Sequence, residues 1–343
     1  MMSMTLESAV SALGAVEARR TDARLEQRLA EVQDLLADEL VSVERRLAEI
    51  VTQGAEPATD AAAHLVTLGG KRIRPLALLA AAACFGDVPE VARELAVVSE
   101  LVHSATLLHD DVVDEGNVRR GAPTARRTWG NGISVLAGDL LLVHALDRTQ
   151  RFAPEIMPDL TATLRRLVDG EVVQLRGRTQ LDVSEATYER ILRDKTASLF
   201  AFCARTGGRL GGASTEQQDS LATFGELLGI AFQLVDDVLD YAGETTGKTL
   251  FADLGEGKLT LPLVIAARLR PELEALLRRI HAGDPEPVEQ VSRIVLSSGA
   301  CDEVRRRARH ATDRAVHSLR EIPASPARGL LELVAFQLAD RVS

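Results

Sequence analysis

Lysine is the scarce residue of this chain. Of 40 basic side chains only Lys71, Lys195, Lys248 and Lys258 are lysines, and the other 36 are arginines. Positive charge is not in excess either. The formal net charge of -10 excludes the broad basic surface needed to neutralise phosphates along a nucleic acid. An anionic ligand must therefore be held by a few local cations and metal. The three cysteines, Cys84, Cys203 and Cys301, lie far apart without zinc spacing. That excludes a disulfide framework and predicts free core thiols in a reducing compartment. No apolar run approaches the ~20 residues of a membrane span. The first twenty residues lack a signal-peptide core, so the expectation is a cytoplasmic protein. Sustained strand alternation is missing too, and no stretch resembles a linker.

What remains is helix. Leu25, Leu29, Val32, Leu36, Leu40, Val43, Leu47 and Ile50 step by threes and fours, the mark of one long amphipathic helix. Further helices are expected over about 58–68, from Pro75 to Gly86, and over 89–114, 133–150, 155–178, 184–211, 217–242, 259–281, 286–297, 301–320 and 326–342. Residues 1–22 read as an N-terminal extension and 23–343 as a single all-α domain.

Into this apolar helical pattern the sequence sets acids twice. In HSATLLHDDVVD, Asp110, Asp111 and Asp114 stand among Leu107, Leu108, Val112 and Val113. In FQLVDDVLD, Asp236, Asp237 and Asp240 repeat the spacing. Helical periodicity puts the first and last acid of each triplet on one face. One such triplet reads most simply as a solvated face or a structural ion pair. Two of identical spacing read as paired sites, because crowded, desolvated carboxylates must be protonated, paired or bound to cations. Oxygen-only ligands on rigid helices suit Mg²⁺, which keeps waters and substrate phosphate oxygens in its shell. The substrate should thus bear phosphate. His103 lies seven residues before Asp110, roughly 10 Å along the same stripe, and Gln233 stands seven before Asp240. Taken alone, His103 reads as a core histidine.

Cations gather near both triplets. Arg119 and Arg120 follow the first through a Glu115-Gly116-Asn117 turn, and forked donors there suit phosphate. GKTLFADLGEGK, with Lys248, Asp253 and Lys258, follows the second. Gly69-Gly70-Lys71-Arg72-Ile73-Arg74 is a basic loop, and Lys195-Thr196 adds an ammonium beside a hydroxyl. Each is weak evidence for phosphate binding by itself. That all four lysines fall in such places is supporting evidence, since an ammonium is the compact alternative to a guanidinium.

With GGKRIRP, HDDVVD, RRG, GEVVQL, KTASLF, FQLVDDVLD and GKTLFADLGEGK in this order, the chain resembles the trans-type isoprenyl diphosphate synthases, or polyprenyl synthetases, over about residues 25–342. The run before the first triplet is most similar to bacterial medium- and long-chain enzymes. The resemblance implies an isoprenoid synthase-like helical bundle around a central cavity, acting as a homodimer, with three Mg²⁺ held by Asp110, Asp114, Asp236 and Asp240. Asp111 and Asp237 would belong to the catalytic set with Arg119 and Lys195. Arg119, Lys195, Thr196, Gln233, Lys248 and Lys258 would hold the allylic diphosphate, and Lys71, Arg74, His103 and Arg120 isopentenyl diphosphate. Small residues at Thr106 and Ala105, four and five positions before the first acid, imply an open tunnel and an all-trans product of C20 or longer, with C30 to C50 favoured over C20. Phe251 departs from the glycine common in that loop of related bacterial enzymes. A terpene cyclase would have no use for the Lys71 loop or a full second aspartate repeat, and a non-catalytic subunit should have lost ligands that are all present here.

Overall fold

The structure is a computed structural model and describes residues 23–242, 254 and 257–339. The expected N-terminal extension, Lys248, Phe251 and Asp253 lie outside these residues. The chain is all-α, and among the described residues the one departure is a hairpin of two-residue strands, Val118–Arg119 against Ala122–Pro123. The helices are α1 Ala23–Ile50, α2 Ala58–Thr67, α3 Ile73–Ala83, α4 Glu90–Val113, α5 Ala125–Trp129, α6 Asn131–Phe152, α7 Met157–Gln180, α8 Glu185–Ile191, α9 Ser198–Leu210, α10 Thr215–Ala242, α11 Leu261–Leu269, α12 Leu273–His281, α13 Val288–Ser297, α14 Ala300–Ser318 and α15 Pro326–Ala339. No described helix is long and apolar enough to cross a membrane. The three cysteines are buried and form no disulfide, and burial pushes the Cys203 thiol up to about 12.

Two compact units form. The first takes residues up to Leu160, Cys203–Ala222 and Glu321–Leu331. Its axis is α4, where Leu95, Val98, Leu101 and Leu108 are fully buried, each such side chain worth roughly 1.5–3 kcal/mol. α4 packs chiefly on α6. Small residues on α6 allow the approach: a β-carbon at Gly138 would lie 2.3 Å from Nε2 of His109. That ring instead lies 3.2 Å from the carbonyl of Val135 and 3.4 Å from Asp139, tying the acidic end of α4 to its neighbour.

The second unit takes Thr161–Phe202, Thr223–Arg320 and the chain from Glu332. Leu234 and Val238 of α10 pack with Tyr188, Leu263, Val291 and Val304 in one core. The expected helix over 184–211 is divided, because Leu192–Ala197 is π-helical. Close backbone approach accompanies the change: a β-carbon at Gly170 of α7 would sit 2.6 Å from the Lys195 nitrogen, and one at Gly229 of α10 2.7 Å from Cα of Ala197. The expected helix over 259–281 breaks at Arg270-Pro271, since proline disfavours helical backbone in the residue before it.

Candidate active site

In the first unit, Asp110 and Asp111 lie in the last turn of α4, and Asp114 caps it by donating its N–H to the Asp110 carbonyl at 2.8 Å. Three carboxylates at the negative end of a helix dipole, in a last turn without a basic residue, call for added cations. The middle acid already has one. Asp111 is 3% exposed and accepts from Arg119 Nε at 2.9 Å and Nη2 at 2.8 Å, both on Oδ1. Asp110 and Asp114 are partly exposed.

The hairpin after α4 aims the next arginine. Arg120 (φ 53°) and Gly121 (φ 78°) form its two-residue turn in the left-handed region, as a tight turn between twisted strands demands. Gly70 leaves room for the guanidinium: a β-carbon there would lie 3.0 Å from an Arg120 Nη and 3.3 Å from an Arg72 Nη. Arg72 is itself left-handed (φ 47°). It is buried, pairs with Glu44 and Glu100, and donates to the Val66 carbonyl at 3.2 Å. Burial works against its charge, but Glu100 and Glu44 outweigh that and hold its pKa above the ordinary arginine value. Arg72 is thus the strut of the loop that carries Lys71 and Arg74.

Around it the positive charge is costly. Burial lowers the pKa of Arg74 and Arg120, with Glu100 opposing in both cases. His103 is held well below its ordinary 6.5, first by burial and then by Arg74, Arg120, Arg119 and Arg72, so its ring is neutral at physiological pH. The structure brings Arg74, His103 and Arg120 into one electrostatic cluster, with Lys71 exposed at its loop. Sequence reasoning takes Arg72 only as one cation of a basic loop and misses Glu44 and Glu100. Glu100 lies on α4 and Glu44 on α1, and no spacing ties them to the loop.

The second unit repeats the design. Asp237 is buried and accepts from the Tyr188 hydroxyl at 2.7 Å, the Leu261 N–H at 3.0 Å and Gln233 Nε2 at 2.9 Å. Thr196 donates to Gln233 Oε1 at 3.1 Å. Asp236 is partly exposed and Asp240 buried, on the same helix. Lys195 pairs with Glu171 of α7, a residue of the GEVVQL run whose role spacing could not give. Lys258 is partly buried. Among the described residues no three acidic, imidazole or thiol side chains converge tightly enough to hold a metal by themselves. A cation here must take part of its shell from water or from a ligand.

On α4, Ala105 is fully buried, and Thr106 is partly buried with its hydroxyl donating to the His103 carbonyl at 2.8 Å.

The family model described as polyprenyl synthetase matches residues 56–297. The chain is 38% identical over 319 residues to the all-trans-nonaprenyl-diphosphate synthase (geranyl-diphosphate specific) of Rhodobacter capsulatus, covering 90% of this chain and 98% of that one. It is 35% identical to the octaprenyl diphosphate synthase of Escherichia coli over 88% of this chain and 96% of that one. Among solved structures, a polyprenyl synthase from Caulobacter crescentus complexed with calcium and isoprenyl diphosphate superposes with a TM-score of 0.85 at 35% identity, covering 91% and 97% of the two chains.

Proposed function

Since the chain belongs to the polyprenyl synthetase family, we propose that it condenses isopentenyl diphosphate with an allylic diphosphate and releases an all-trans polyprenyl diphosphate of C20 or longer, C30 to C50 being favoured. The observation that carries the reading is common to both acidic triplets: the middle acid, Asp111 or Asp237, is buried and accepts hydrogen bonds from the protein, while the acid before it, Asp110 or Asp236, is partly exposed. The donor chemistry fits magnesium. Carboxylate oxygens that do not close a cage by themselves suit a hard cation that keeps water and phosphate oxygens in its shell. Asp110, Asp114, Asp236 and Asp240 would hold Mg²⁺, three ions in this reading, and Mg²⁺ so bound supplies positive charge to the leaving diphosphate.

The chain's own residues then act by position. Lys195, Thr196, Gln233, Lys248, Lys258 and Arg119 bind the allylic diphosphate and neutralise it as the allylic C–O bond breaks. Lys71, Arg74 and Arg120 hold isopentenyl diphosphate. Neutral His103 donates one N–H to it without adding charge to a crowded cluster. The desolvated guanidinium of Arg74 gains most from an anion, which favours binding at this place. The double bond of isopentenyl diphosphate attacks the allylic carbon and a new C–C bond forms. The departing diphosphate takes the proton that is lost, so no protein base is required. Leu136 and Val143 of α6, seven residues apart and 56% and 59% exposed, support a homodimer, since a second copy would cover such a stripe.

The test gives purified protein isopentenyl diphosphate and a short allylic primer, with a chelator and then with Mg²⁺. Metal-dependent chain extension is expected. A cyclic hydrocarbon made from the primer alone would instead mean a terpene cyclase. Turnover that appears only after a second protein is added would mean a non-catalytic subunit.

A further inference from the structure

Tyr188 has no place in any motif, yet its hydroxyl reaches the second aspartate triplet from 49 residues away. Its ring is packed in the core with Leu234, Val238 and Leu261. Asp237, which it touches, is 2% exposed, and both carboxylate oxygens accept from the protein: Oδ2 from Tyr188 Oη and Leu261 N, Oδ1 from Gln233 Nε2. A carboxylate is acceptor-only, so it fixes which way the Gln233 amide faces. The NH₂ turns to Asp237. The carbonyl must then face away, and it accepts from Thr196. One N–H of Gln233 remains to donate to an anion, and the Thr196 hydroxyl, its proton given to Gln233, is anchored next to Lys195 in the chain.

We propose that Tyr188 is a positioning residue of the reaction. Acting through Asp237, its hydroxyl sets the amide of Gln233 so that the remaining N–H is held for the allylic diphosphate, with Thr196 anchored on the amide oxygen. The proposal rests on the assignment above of Gln233 and Thr196 to that diphosphate, and extends it to a side chain buried in the core. Removing the hydroxyl leaves the ring and its packing in place but takes a donor from a buried oxygen. The carboxylate is then less firmly held, and with it the amide it orients.

The experiment compares wild type with Tyr188→Phe, Asp237→Asn and the double variant. Thermal unfolding, steady-state constants for each substrate and calorimetric titration with inorganic diphosphate in Mg²⁺ are measured. Tyr188→Phe is expected to lower kcat/KM for the allylic substrate about tenfold, the scale of one hydrogen bond. It should weaken inorganic diphosphate several-fold and leave the KM for isopentenyl diphosphate within about twofold, since the residues assigned to that substrate lie in the other compact unit. Asp237→Asn puts a second NH₂ against that of Gln233, so the same substrate split is expected, and the double variant should be no worse than Asp237→Asn alone. Equal losses for both substrates, additive effects in the double variant, or a fall in melting temperature with unchanged constants would overturn the positioning role. Should Tyr188→Phe not fold, the near-isosteric Asp237→Asn carries the same substrate test. Wild-type protein that neither binds inorganic diphosphate nor extends a primer would overturn the functional reading itself, and the role of Tyr188 with it.

Discussion

Asp111 and Asp237 hold the same place in two triplets, and in each case protein donors have claimed the carboxylate. Asp110 and Asp236, partly exposed where these two are buried, should respond differently to mutation. Asp110→Ala or Asp236→Ala is expected to cut turnover about a hundredfold to a thousandfold, with little change in melting temperature, because removing one acid relieves crowding among the rest. Asp111→Ala should instead cost stability, roughly 1–3 kcal/mol. That is below the range for a fully buried pair, since Arg119 keeps 31% of its side chain in solvent. Melting temperature beside kcat for the three variants checks the contrast. An active Asp110→Ala enzyme would remove Asp110 from the metal set. The spacing of the acids was legible in the sequence, but this division was not. It is set by Arg119 eight residues on and by Tyr188 on a different helix, and periodicity carries no information on either. His103 makes a second prediction. Its folded pKa is depressed, so below the unfolded value near 6.5 the unfolded chain binds the extra proton and native stability falls with pH. The slope should reach about 1.4 kcal/mol per pH unit for this one group. His103→Gln, which keeps an N–H donor, is expected to flatten the decline in melting temperature between about pH 6.5 and 5. An unchanged decline would mean that His103 binds its proton equally in the folded and the unfolded chain.

At the level of elements, the helical periodicity announces nearly every long helix, and α4 ends within a residue of expectation, where Gly116 closely follows its last apolar pair, Val112 and Val113. Two features escaped. The hairpin after α4 is too short for alternation, and only the Arg120-Gly121 turn hints at it. The π-helical turn at Leu192–Ala197 is set by what lies across from it, Gly170 and Gly229, and not by its own residues. Such turns occur often at functional sites, and this one carries Lys195 and Thr196. Gly170→Ala is a direct probe. Alanine in place of glycine within a helix favours folding by about 1 kcal/mol. Here its β-carbon would meet the Lys195 backbone nitrogen at 2.6 Å, and no side chain can swing aside to absorb the contact. Overpacking at about 1–3 kcal/mol should win. The expected outcome is a lower melting temperature together with a raised KM for the allylic substrate, because the backbone that must move bears Lys195. A variant more stable than wild type, with unchanged kinetics, would show that α7 yields and the π turn does not.

Product length is a property of the whole molecule, because the tail must find space that no single motif encloses. Ala105 and Thr106 were read together in the sequence as an open gate, and their burial now separates them. Ala105 is fully buried on α4, so Ala105→Phe forces a ring into packed surroundings at a cost of about 1–3 kcal/mol. Thr106 is partly exposed, and a ring there can extend into open space without displacing core. Thr106→Phe is therefore the cleaner test: a shorter product at nearly unchanged melting temperature is expected, whereas Ala105→Phe should shorten the product and destabilise the protein together. Within the first unit α4 packs along α6, whose Leu142 and Leu146 are partly buried, so a floor for a tail that passes Thr106 is sought there first. Leu146→Ala should lengthen the product if that side chain forms the floor. Chromatography of dephosphorylated products from wild type and the three variants decides the matter. A wild-type product that stops at C15, or a Thr106→Phe enzyme that makes the wild-type length, would mean that the tail does not run past this face of α4.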